Sequence, residues 1–124
     1  MTDSTLVAYY AAVDAGDFDA AVSLLDPEVA FVMHLPSTTN RGHGREGLRS
    51  YLTGRGDVVR AHVPLRVSVL DGVEFVHGAV VEDGVTTTGY FTAAVSTTPD
   101  GLVARYQVVF TTDFPLLPRS EDAS

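Results

Sequence analysis

Four histidines, and one tyrosine on an apolar helical face, are the side chains of this 124-residue chain best suited to moving a proton or holding developing negative charge near neutral pH. His34 closes the strand-like segment Val29 to His34 beside a polar loop, which makes it the first candidate for acid/base work. His62 opens a longer strand-like segment in which Val63, Leu65, Val67 and Val69 form an apolar set, so strict alternation turns His62 outward. Pro64 could bulge that strand and reverse the facing. For His77, both Phe75/His77/Ala79 and Val76/Gly78/Val80 could face the core, whereas His43 lies between glycines in a loop and reads as solvent-exposed. Tyr9 shares helical spacing with Leu6, Tyr10 and Val13, where a phenol either packs in the core or donates to an oxyanion; Tyr10, a quarter turn away, reads as packing or interface.

Other chemistries lack their residues. There is no cysteine, hence no thiolate nucleophile or cysteine-based zinc site. The histidines fall in four separate segments without a His-x-His or His-Glu-x-x-His pattern, so no metal is expected. No Gly-x-Ser-x-Gly elbow exists, and Gly42-His43-Gly44 lacks the lysine and spacing of a phosphate loop. A net charge of −8, no lysine and eight scattered arginines argue against nucleic acid. No apolar run reaches membrane-spanning length, and Met1 to Thr5 does not begin a signal peptide, so a cytoplasmic location without membrane contact is expected.

The elements that must position these groups follow from spacing. Leu6, Tyr9, Tyr10 and Val13 give a first helix one apolar face, with Asp14 turned away; Phe18, Ala21, Val22 and Leu25 do the same for a second. Gly16 closes the first helix, Asp17 caps the second and Asp26-Pro27 ends it. Leu35 to Gly44 has loop composition, and Arg45 to Leu52 reads as a third helix burying Leu48, Tyr51 and Leu52. After Gly54-Arg55-Gly56 the pattern becomes strand-like. Segments near Ala61–Leu70, Val73–Glu82, Val85–Thr97 and Leu102–Thr112 are divided by Asp71-Gly72, Asp83-Gly84 and Pro99-Asp100-Gly101, the first two being strong hairpin signals. Alternation turns Phe91, Ala93 and Val95 inward, together with Leu102, Ala104, Tyr106, Val108 and Phe110. The opposite face, with Thr86, Thr88, Thr92, Val103, Gln107 and Val109, suits sheet-to-sheet dimerisation.

The helix-Gly-Asp-helix opening, the Asp-Pro-Glu-Val-Ala-Phe run into a strand, the short third helix and the four long strands together resemble the NTF2-like family, the α+β cone of ketosteroid isomerases and SnoaL-type polyketide cyclases. The resemblance covers the chain to about Phe114, which gives one domain over residues 1–114 and a tail over 115–124, disordered beyond Arg119. It implies three N-terminal helices packed on a curved, mostly antiparallel sheet. Aligning the Ala-Gly-Asp junction puts Tyr9 on the isomerase oxyanion-hole tyrosine, Met33 or, with a one-residue shift, His34 on its base, and Ala93 on its protonated aspartate. Tyr51 falls on an aromatic pocket-wall position. The pocket is kept while that isomerase chemistry is lost.

Two functions follow. One is a cofactor-free isomerase, cyclase or dehydratase for a small apolar carbonyl compound, with Tyr9 as oxyanion donor, His34 or His62 moving the proton, and Met33, Tyr51, Phe91, Tyr106 and Phe110 against the ligand. Of these, Met33, Tyr51 and Phe91 line the cone's opening with Tyr9, and Tyr106 reads equally as pocket floor or core. The other is a non-catalytic binding module of the same fold, in either case a homodimer.

Overall fold

The computed structural model describes residues 4–54 and 60–117. The expected tail beyond Arg119 and the turn after Gly54 lie outside the described residues. Ser4 accepts from the Val7 N–H and starts α1 (Thr5–Asp14), whose buried face is Leu6, Tyr9, Tyr10 and Val13. Gly16, at φ +77°, makes the tight turn that a side chain would strain, and Asp17 caps α2 (Phe18–Ser23) through the Ala20 N–H. The helix stops before Asp26-Pro27, which lies instead inside β1 (Leu25–His34). Pro27 is tolerated there because the register to the neighbouring strand breaks between Leu25 and Ala30, so its missing N–H removes no ladder bond.

The expected loop before the third helix contains a strand. β2 (Thr39–His43) turns back from β1 through a short connection and pairs with it, Met33 opposite Asn40 and His34 opposite Thr39. Its polar side chains carry no apolar alternation, so only the pairing reveals it. α3 (Arg45–Thr53) follows, burying Leu48 and Leu52 and leaving Tyr51 half-buried. Then come β3 (Arg60–Leu70), β4 (Val73–Glu82), β5 (Thr86–Thr97) and β6 (Val103–Thr111). The sheet order is β2-β1-β6-β5-β4-β3, antiparallel throughout except for the parallel β1–β6 pair. Three helices on a curved, six-stranded mixed sheet form the expected α+β cone. Both Asp-Gly turns have positive φ at each of the two residues, the geometry that matches strand twist; Asp71-Gly72 forms a two-residue hairpin loop, and Asp83-Gly84 is followed by Val85 before β5 begins.

Two bulges correct the expected facings. On β6 the register moves between Ser96/Arg105 and Thr97/Val103, so Ala104 is the extra residue. Val103 therefore turns into the core, while Leu102 and Ala104 are only half-buried. Tyr106 and Val108 remain buried as expected. On β3 the register slips between Pro64 and Arg66, leaving Leu65 unpaired. His62, paired with Val80, consequently faces the helices at 8% exposure, and Val63, Leu65, Val67 and Val69 form no buried face. On β4 the inward set is Val76, Gly78 and Val80, so His77 faces outward and bonds Thr92 Oγ1 at 2.8 Å.

One contact seats α1 on the sheet. Glu74 of β4 is buried at 4% exposure and accepts from Ser4 Oγ (2.8 Å), the Thr5 N–H (3.2 Å) and the Leu6 N–H (2.9 Å). A carboxylate at a helix N-terminus satisfies otherwise unpaired donors and meets the positive end of the helix dipole. Glu74→Ala leaves these donors without partners in a buried setting, and chemical denaturation should show a loss of about 2–3 kcal/mol.

Candidate functional site

The site is built where α1 crosses β3 and β6. Tyr9, Tyr10 and Val13 project from α1 toward the sheet, and Asp14 follows Tyr10 by one helical turn on the same side. The bulge at Leu65 brings His62 to this end of the helix. The His62 Nδ1–H donates to Asp14 Oδ1 at 2.7 Å, and the His62 backbone N–H donates to Asp14 Oδ2 at 2.6 Å. Because an ionised carboxylate only accepts, this clamp places the imidazole proton on Nδ1. The hydrogen bonds that His62 makes among the described residues are these two, through Nδ1 and the backbone N–H.

Aromatic rings hold the imidazole in place. Tyr10 stacks on His62 at 4.5 Å and 14°, and Phe91 meets its edge at 5.3 Å. Phe91 itself lies against Gly78, where an added Cβ would stand 2.7 Å from the ring, so the wall under His62 needs glycine there. The Tyr10 and Tyr106 hydroxyls are 2.6 Å apart, and the Tyr9 ring lies 5.5 Å from Tyr10 and 5.8 Å from Tyr106. Burial pushes the Tyr10 phenol well above its ordinary value; the nearby Tyr9, Asp14 and Tyr51 act in the same direction, against the hydrogen bond to Tyr106. Tyr10 is thus neutral and able to donate throughout the physiological range.

Two spaces lie against His62. The inner one, against Tyr9, Tyr10, Met33 and Tyr106, is only about 20 Å³, room for about one water or a protruding substrate atom. The outer vestibule is about 500 Å³ and runs past Arg60, Glu82, Leu35 and Thr88 to the surface. Tyr51, His62 and Phe110 line both.

Of the residues singled out from the sequence, the fold gathers Tyr9, Met33, Tyr51, His62, Tyr106 and Phe110 around the inner space. Phe91 supports His62 from the core, 1% exposed, rather than lining the opening. His34 is not brought to the cluster: it lies on the opposite face of β1 from Met33, exposed, with Nδ1 3.3 Å from Thr39 Oγ1. His43 is exposed in β2, 3.3 Å from Glu28. Asp14, expected to turn away from the core, and Tyr10, expected to pack or to form an interface, are the residues missed. Their i, i+4 spacing and the placement of a carboxylate in the last helical turn, where the dipole disfavours it, were the available signals. Among the described residues no group of three His, Cys, Asp or Glu side chains could hold a metal ion.

The fold is thus an α+β cone with a histidine–carboxylate pair and clustered phenols beside a vestibule that opens to the surface. The chain belongs to the SnoaL-like domain family, which it matches over residues 6–113. Among solved structures it is similar to an NTF2-like protein of unknown function from Burkholderia xenovorans, with 21% identity, a TM-score of 0.70 and coverage of 94% of this chain and 88% of that one. It is also similar to a protein from Xanthomonas campestris provisionally named a polyketide cyclase, with 22% identity, a TM-score of 0.69 and coverage of 86% and 87%. A third, from Kribbella flavida and provisionally named a ketosteroid isomerase, has 17% identity, a TM-score of 0.67 and coverage of 94% and 82%. No protein of curated function matches the chain.

The raised Tyr10 phenol has a consequence for stability. The folded state keeps this proton at a pH where the unfolded chain, with a tyrosine value of about 10, has lost it. The unfolded state then binds fewer protons, so stability falls as pH rises past about 10. Denaturant unfolding at stepped alkaline pH should show this fall, and Tyr10→Phe should make it shallower.

Proposed function

We propose that the protein is a cofactor-free enzyme of the isomerase, cyclase or dehydratase type, acting on a small apolar carbonyl compound. The observation that carries this reading is the Asp14–His62 clamp, which holds Nδ1 with the carboxylate while His62 lines both spaces. With its proton on Nδ1, neutral His62 presents the Nε2 lone pair as a general base. Asp14 keeps that tautomer and stabilises the imidazolium formed when Nε2 takes a proton, as the carboxylate of a catalytic triad does.

The substrate's carbonyl oxygen would enter the inner space, where the bonded Tyr10 and Tyr106 hydroxyls and the adjacent Tyr9 can donate to it. His62 removes a proton from the adjacent carbon, the C–H electron pair forms a C=C bond, and the carbonyl π electrons move to oxygen. The phenol O–H groups hold the developing charge where little water competes. Where the substrate carries a C=C β,γ to the carbonyl, the imidazolium returns the proton to the γ carbon as the carbonyl re-forms, giving isomerisation; where it carries a β-hydroxyl, the carbonyl re-forms as the β C–O bond breaks and the proton goes to the departing oxygen, giving water and the unsaturated ketone. Met33 and Ala93, both buried, can neither take a proton nor donate to an enolate, so the reaction is not true ketosteroid isomerisation. The names of two structural relatives support the same substrate class.

Deuterium exchange tests this reading. In D2O the protein should speed exchange of the protons next to the carbonyl of apolar bicyclic ketones such as β-tetralone, followed by NMR. His62→Gln should lose about 10²–10⁴-fold of that rate, and Asp14→Asn on the order of a hundredfold. His34→Gln, on the other face of the sheet, should leave the rate unchanged. A wild-type protein that binds the ketones but exchanges them no faster than buffer would be a binding module of this fold.

We also propose that the protein acts as a cytoplasmic homodimer, its single domain ending near Phe114. The outer sheet face has a hollow of about 420 Å³ where Ala30, Val32, Ala94 and Gln107 lie between strands, with Arg41 and Arg105 also in its lining. Val103, expected on this face, is in the core instead and plays no part. Light scattering should give twice the mass of one chain, and Val32→Arg should reduce it to the monomer mass.

A further inference from the structure

The inner space is too small for a whole substrate, so the body of any molecule whose carbonyl reaches His62 lies in the vestibule. Resting on the acid/base reading above, the chemistry of that vestibule identifies the rest of the molecule. Its walls are mainly apolar, with Leu35, Tyr51, Val80 and Phe110, but one side carries charge. Arg60 and Glu82 are direct cross-strand partners on β3 and β4, and Arg60 Nε lies 3.3 Å from Glu82 Oε2. Both side chains are under one-third exposed and both line the vestibule. Arg60 precedes His62 by two residues, so the two stand on the same face of β3, about 7 Å apart along the strand.

We infer that the Arg60–Glu82 pair is a recognition subsite for a neutral hydroxyl at the end of the substrate remote from the reacting carbonyl. A hydroxyl donates one hydrogen bond and accepts others, which is what a guanidinium beside a carboxylate can meet at once. A carboxylate or phosphate on the substrate would gain from Arg60 but face Glu82, whose negative charge offsets the attraction. An unsubstituted hydrocarbon end would strip water from both charges without replacing its hydrogen bonds. The pair therefore selects against both extremes. Its place one strand pitch from His62 also sets the substrate's length, about the span of two fused six-membered rings between the reacting carbon and the hydroxyl.

The test measures binding, independently of turnover. β-Tetralone, its derivative with a hydroxyl on the far ring and its derivative with a carboxylate there are titrated into the full chain by calorimetry. Wild type should bind the hydroxylated ketone about tenfold more tightly than β-tetralone and show no gain for the carboxylated one. In Glu82→Gln the carboxylated ketone should gain about tenfold, because Arg60 loses its internal counter-charge. Arg60→Gln should erase the hydroxyl preference. Equal wild-type affinity for the hydroxylated and parent ketones, no measurable binding of any of the three, or a Glu82→Gln variant with unchanged carboxylate affinity would overturn the inference. The wild-type comparison needs no variant, so misfolding cannot obscure it. Hydroxyl selectivity without deuterium exchange would refute the enzyme reading and leave the subsite standing; exchange without selectivity would do the reverse.

Discussion

Helix α1 is held to the sheet by a carboxylate at each end, and the geometry of the cone depends on that double tether. At the N-terminus the sheet supplies the carboxylate: Glu74 receives two backbone N–H groups and the Ser4 hydroxyl. At the C-terminus the helix supplies it: Asp14 receives the backbone and ring N–H groups of His62. The two ends differ in electrostatic sense. Glu74 meets the positive end of the helix dipole, whereas Asp14 sits at the negative end, where only the two donated hydrogen bonds from His62 offset the repulsion. The first contact stabilises; the second spends stability on placing a carboxylate beside an imidazole. Tyr9 and Tyr10 lie between the tethers, so their position over β6 and β3 follows from both.

Irregularities in the sheet do the rest of the positioning. A regular β3 with its apolar residues turned inward would send His62 to the outer face, and Asp14 would have no partner at the wrong end of its helix. One unpaired residue, Leu65, reverses the facing and closes the pair. Around the imidazole, Tyr10 and Phe91 exclude water from two sides. Low local polarity strengthens the Asp14 hydrogen bonds and keeps the Tyr10 phenol protonated. Packing and electrostatics thus point the same way: the ring is fixed in position beside the cavity, and its proton is fixed on one nitrogen.

The sheet separates two kinds of surface. Its helix-facing side carries the phenols, His62 and, at the mouth, the Arg60–Glu82 pair. The outer side mixes small residues with Arg41, Arg105 and the exposed Phe75 and Val109, and carries His34 and His77 bonded to threonines. The proposed substrate site and the proposed self-association surface therefore lie on opposite faces of the same strands, and a change on one face alters the other only through backbone register.

Much of the fold was legible in the sequence because its signals are local. The Gly16–Asp17 junction, the Asp71-Gly72 and Asp83-Gly84 hairpins, the buried stripe of α1 and the inward set Phe91, Ala93 and Val95 each follow from the conformational range of one or two residues or from a short period. Tyr9, Met33, Tyr51, Tyr106 and Phe110, read the same way or by resemblance, line one inner space. What tertiary structure decided was facing and partnership. Strand alternation has a period of two, so a single unpaired residue inverts the prediction for all residues on one side of it, as Ala104 does for Val103 and Leu65 for His62. β2 has no hydrophobic pattern and exists because β1 offers an edge. The pair of Asp14 and His62, 48 residues apart, joins a helix end to a bulged strand; each residue alone looked exposed, and neither position carries the information that the other will be there.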